Sequence, residues 1–223
     1  MIDDLRHPRI TENKDWATLL FVLSFLIIAL TKSVFENRFG DFINLVFSDK
    51  YIKVYKDSSH LKSGFTISLF FVQVVSLAFF IQISLSIFGY ASKTDWLLYI
   101  QIITFLIFFI LAKYLIEKII ATSFNIEDFM EHFNLQKVTY RTYIGLFILP
   151  INIILFYYDA VSKNIPLIII GLVLVINMLT YLISIKNYQN VIFGKLFYFI
   201  LYLCALEIAP YYFMYYWFTK GIA

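Results

Sequence analysis

The stretch FTISLFFVQVVSLAFFIQISLSIFGY, residues 65–90, carries no charged side chain. It is longer than the roughly 20 apolar residues an α-helix needs to cross a bilayer, and long enough to cross with tilt. A second run, PLIIIGLVLVINMLTYLISI at residues 166–185, opens with proline. The first helical turn accepts proline because the missing N–H would have no partner there. Working outward from these two, four further segments read as spans. They are 16–31, bounded by Asp15 and Lys32; 96–115, which can continue past the membrane face through Lys118; 143–158, short and holding Pro150; and 196–218. The expected fold is therefore all-α, a single polytopic transmembrane helix bundle of about six spans within residues 1–223. If segment 143–158 is re-entrant, the count falls to five.

Composition supports this. Hydrophobic residues make up 61% of the chain and aromatics 20%, while charged residues are only 15%, against about 25% in an ordinary soluble domain. A soluble fold of this length has too little interior to hide that much apolar surface. A net charge of +3 is too mild to suggest nucleic acid as a partner. The one cysteine, Cys204, excludes an intrachain disulfide. The first apolar run ends at Ile28–Lys32 without a small-residue cleavage pattern, so it reads as a retained span rather than a secretory signal. Trp16, Trp96 and Trp217 fall near span ends, where interfacial aromatics collect.

The basic residues set an orientation. Arg6, Arg9, Lys14, Lys93, Lys163 and Lys220 fall on one side of the six-span threading. Twice as many fall on the other, in residues 32–62, 113–141 and 186–195. The positive-inside rule makes the second side cytoplasmic, which puts both termini outside the cytoplasm.

Two of the cytoplasmic loops carry helical patterns. Phe35, Phe39, Phe42, Ile43, Val46 and Phe47 form one stripe, with Glu36, Asn37, Arg38, Asp41 and Asn44 on the polar side. The stripe suits a helix lying in the membrane interface or one that caps the bundle; Lys50, Lys53 and Lys56 follow and could meet anionic headgroups. In the later loop, Asn125 reads as an N-cap and Glu127 and Asp128 as an acidic first turn, with Ile126, Phe129, Met130 and Phe133 on the apolar side. This predicts a second short surface helix.

The residues most out of place in lipid are Glu207, three positions before Pro210 in the last span, with Asn152 and Asn177 in the fourth and fifth. A carboxyl at mid-bilayer costs roughly 2.5–3.5 kcal/mol on insertion scales, so it should face the bundle interior. Pro210 frees a backbone carbonyl one turn earlier, beside that carboxyl. The group could bind a proton, a cation or another polar group; equally, these side chains could only hydrogen-bond helix to helix. In span 65–90, Thr66, Gln73, Ser76 and Ser84 share an arc of about 80° at 100° per residue, with Gln82 outside it. His132 beside Asp128 and Glu131 reads as a solvated acidic face rather than a metal site. No G-x-S-x-G, H-E-x-x-H, phosphate-binding glycine loop or haem signature occurs. No metal, cofactor or enzymatic activity is expected.

LYLCALEIAP at residues 201–210 and FINLVF at residues 42–47 resemble a family, known as a domain of unknown function, of six-span inner-membrane proteins from gliding or type IX-secreting bacteria. The resemblance covers nearly the whole chain. It implies a bacterial inner membrane and no assigned activity, and it makes Glu207 and Pro210 the positions to test first. Two functional readings follow. One is a non-enzymatic component or scaffold of an envelope complex, whose partners are the lipid bilayer and other envelope membrane proteins. The other is a small transporter or proton- or ion-coupled permease using Glu207.

Overall fold

A computed structural model describes residues 14–46, 51, 54–55, 63–123, 127–158 and 161–187. The described residues form six α-helices and no strand. In chain order these are α1 (Asp15–Val34), α2 (Glu36–Ile43), α3 (Gly64–Ile87), α4 (Trp96–Ser123), α5 (Glu127–Tyr157) and α6 (Asn164–Asn187). Four of them, α1, α3, α4 and α5, are long and apolar enough to cross a membrane, and α6 adds an apolar stretch over Asn164–Thr180. The segment 196–218 lies outside the described residues.

Local chemistry sets the helix ends. In α1, Asp15 in the first turn and Lys32 in the last complement the helix dipole. Its Ser24 and Thr31 hydroxyls donate to the carbonyls of Leu20 and Ile27 one turn back, at 2.8 and 2.7 Å, so neither is left bare. Ser63 caps α3, its hydroxyl accepting from the Thr66 amide. At the other end Gly89 adopts φ +87°, a left-handed conformation that favours glycine. The amides of Gly89 and Tyr90 then reach back to the carbonyls of Ser86 and Leu85. This Schellman motif stops the helix at Ile87, short of the expected Tyr90. Asp95 caps α4 through Oδ1, which accepts from the amides of Leu97 and Leu98 at 3.0 and 3.2 Å.

The separate surface helix and short span expected from the sequence around residues 126–158 are one structure. Helix α5 runs unbroken for 31 residues, through Pro150. At 1.5 Å per residue it is about 46 Å long, and the 28-residue α4 about 42 Å. The polar stretch expected to belong to the later loop holds Asn134, Gln136, Lys137, Thr139 and Thr142, all buried. Lys137, Thr139 and Thr142 meet protein groups there: Glu117, the Leu135 carbonyl and Gln73.

Helix α3 is the axis of the bundle, packed against α1, α4 and α5. At one end Ala17, Phe21, Val75, Phe79, Tyr99 and Phe156 form a core. Phe21 stacks on Phe79 at 4.2 Å, and Trp16 meets Trp96 edge-on at 5.1 Å. At the other end Phe39 and Phe42 of α2, Leu45, Tyr51, Phe65 and Leu69 form a second core. Helix α6 rests against Phe80, Ile144 and Ile148.

Candidate functional site

Three polar contacts tie α3 to its neighbours. Asn152, fully buried in α5, donates from Nδ2 to the Ser76 carbonyl at 2.7 Å and to its Oγ at 3.3 Å. Thr142 Oγ1 donates to Gln73 Oε1 at 2.9 Å. Gln82 Nε2 donates to the carbonyls of Asp95 and Ser92 at 2.7 and 3.3 Å, fixing the turn into α4. Between the first two contacts, Gly145 of α5 lies directly over Gln73.

At the basic end the helices extend beyond their apolar parts, and charge is buried. Lys137 Nζ donates to Glu117 Oε1 at 2.6 Å, with both side chains almost fully enclosed. Arg38 of α2 is also buried. It donates to Ser63 Oγ at 2.7 Å, to Thr66 Oγ1 at 3.2 Å and to the Tyr51 hydroxyl, and its guanidinium stands 4.6 Å from the centre of the Phe65 ring. Burial pushes the Tyr51 phenol above its ordinary pKa, and the nearby Arg38 cation partly opposes this.

Next to the ion pair lies a cavity of about 270 Å³ between α3, α4 and α5. Lys113, Lys137, Arg141, Glu117 and Asn134 contribute its polar wall, and Phe70, Ile110 and Leu111 much of its apolar wall. Asn134 is 6% exposed, and its Oδ1 has no hydrogen-bond partner among the described residues.

The residues singled out in the sequence are distributed as follows. Glu207 and Pro210 lie outside the described residues. Asn177 is half-buried and donates to the Val173 carbonyl of its own helix at 2.8 Å. No hydrogen bond joins it to Asn152 among the described residues. Asn152 Oδ1 is buried without a partner there. In the first loop Phe39 and Phe42 are buried and Phe35 is half-buried, while Ile43 is half exposed. Val46 ends a 3-10 turn, and Phe47 lies outside the described residues. Among the described residues no group of three His, Cys, Asp or Glu could hold a metal ion. The Glu117–Lys137 pair and the cavity have no local sequence signature, because their residues come from different helices.

The family model described as a domain of unknown function, DUF4271, matches residues 17–218. No curated protein and no solved structure matches the chain.

Proposed function

The chain belongs to the DUF4271 family, and on that premise we propose that it is a non-enzymatic, fixed-shape component of a cell-envelope complex in the bacterial inner membrane. The observation that carries this reading is the use of the interior polar groups. Asn152, Gln73 and Gln82 each give one amide atom to a bond that joins α3 to α5 or to the α4 turn, while the other amide atom of each is buried without a partner among the described residues. Interhelical hydrogen bonds in bilayers average about 0.6 kcal/mol and reach about 1.7, so three of them favour one arrangement of the helices. Glu117–Lys137 locks α4 to α5 at the basic end. Meanwhile the outer faces of α1, α4 and α6 offer apolar side chains such as Leu19, Phe108 and Leu174 to lipid or to a neighbouring protein. The inner-membrane placement rests on the sequence resemblance, and the outward-facing termini on the asymmetry of basic residues.

The competing reading is a proton- or ion-coupled permease. It is favoured by the buried Oδ1 of Asn152, an acceptor that a protonated carboxyl could fill, and Glu207 is the carboxyl the sequence places in its last span. Purification from native membranes in mild detergent, followed by mass spectrometry, separates the two. A stoichiometric membrane partner is expected. A solitary protein, whose Glu207→Gln variant is expressed normally but fails to restore a deletion phenotype, would favour the permease.

A further inference from the structure

We propose that the cavity between α3, α4 and α5 binds the headgroup of an anionic phospholipid from the leaflet at the basic end of the bundle. The first ground is charge. Three cationic side chains, Lys113, Lys137 and Arg141, line the cavity against one carboxylate, Glu117. That carboxylate is already engaged by Lys137 at 2.6 Å. Arg141 stands on the same wall, and its guanidinium suits a phosphate because its planar fork can donate two parallel hydrogen bonds.

The second ground is depth. Along α4, Lys113 lies about 26 Å from Trp96 and Glu117 about 32 Å, at 1.5 Å rise per residue. Along α5, Arg141 lies about 24 Å from Tyr157 and Lys137 about 30 Å, on the same rise. The hydrocarbon layer is about 30 Å thick. With Trp96 and Tyr157 at one interface, these charges stand at the opposite hydrocarbon boundary, where lipid phosphates lie. Ile110 and Leu111 sit deeper on the same wall. Ile67 and Leu111 also reach the outer face of the bundle, where they are 58% and 49% exposed. The cavity is thus polar at headgroup level and apolar toward the bilayer centre, with a way out for an acyl chain.

The third ground is an unmet polar atom. Asn134 lines the cavity and is nine-tenths buried, yet its Oδ1 has no partner among the described residues. An unpaired buried acceptor costs about 1–3 kcal/mol. A headgroup hydroxyl, such as that of a glycerol phosphodiester, supplies the missing donor while its phosphate meets Arg141.

The test uses the full chain in detergent with equimolar phosphatidylglycerol and phosphatidylcholine of identical acyl chains, read by native mass spectrometry. Both lipids carry a phosphodiester, but only phosphatidylglycerol is a net anion and bears headgroup hydroxyls, so it should be retained over phosphatidylcholine by about tenfold. Arg141→Gln should abolish that preference. Should Arg141→Gln fail to purify as a folded protein, Val138→Phe decides instead, since it fills the cavity and leaves every charge in place. Loss of retained lipid in this variant supports the site, and unchanged retention overturns it. Equal retention of the two lipids by the wild type overturns the proposal. So does inorganic phosphate if it raises the melting temperature as much as phosphatidylglycerol does, because the ligand would then be a soluble anion.

Discussion

Replacing Gly145 with alanine should destabilise the bundle, although alanine is the better helix former. The local gain is about 1 kcal/mol. Against it stands the approach of α5 to α3. A Cβ on Gly145 would lie 2.8 Å from Gln73 Cγ and 3.1 Å from both Cα and Cβ of Gln73. A side chain can rotate away, but the Cα belongs to the backbone of α3, so the two helices must separate. Overpacking of this kind costs about 1–3 kcal/mol. Separation also stretches the Thr142–Gln73 and Asn152–Ser76 hydrogen bonds on either side, worth roughly 0.6 kcal/mol each. The net expectation is a loss of about 1–3 kcal/mol once the helix-propensity gain is subtracted. Gly40→Ala is the matched control. Gly40 is inside α2 with nothing within 4 Å of its added Cβ, so this change should stabilise by up to about 1 kcal/mol. Unfolding in mixed micelles, followed by tryptophan fluorescence, measures both variants. If Gly145→Ala were as stable as the wild type, or gained as much as Gly40→Ala, the close packing of α3 on α5 would be refuted.

The buried pair at the basic end should respond asymmetrically. Lys137→Met alone leaves the Glu117 carboxylate enclosed and should cost about 3–5 kcal/mol, whereas Lys137→Met with Glu117→Leu should return most of that loss; equal loss in the two variants would show that the pair is not isolated from water. Burial raises the Tyr51 pKa above 10.0, so its contribution to stability is complete below pH 10.0 and is lost as pH rises through the raised value. Alkaline melting curves of the wild type should therefore fall more steeply above that pH than those of Tyr51→Phe, and parallel curves would contradict the burial. For the threading, a C-terminal alkaline phosphatase fusion should be active and a cytoplasm-only fluorescent fusion dark; the reverse pair would overturn the proposed orientation.

The apolar helices were legible because an unbroken hydrophobic run is a local property of the chain. Residues 16–31, 65–90 and 166–185 fall within α1, α3 and α6, apart from Phe88, Gly89 and Tyr90, where Gly89 allows the Schellman turn. Helix α5 was harder to read. Asn134, Gln136, Lys137, Thr139 and Thr142 resemble a loop on a hydropathy scale, which cannot distinguish a polar group facing water from one facing a partner. Lys137 meets Glu117 from twenty positions earlier in the chain, and spacing alone announces no such contact. The phenylalanine stripe of the first loop was visible as a pattern, but its phase changes. Phe39, Phe42 and Leu45 are buried at intervals of three, while Ile43, the last residue of α2 before the 3-10 turn Asn44–Val46, is half exposed. The cavity was invisible for another reason: its walls come from three helices, and a void has no sequence pattern.

The central claim, that the bundle keeps one shape and serves as a structural component, is tested most directly by spin-label distances in liposomes. The native Cys204 would first be replaced by serine. Labels at Leu19 and Leu97 report the tryptophan end, and labels at Val34 and Ile119 the basic end; all four positions are well exposed. The account predicts a single narrow distance distribution for each pair, unchanged by pH or by sodium. Two populations at each end, with one end closing as the other opens, would contradict it and establish alternating access instead.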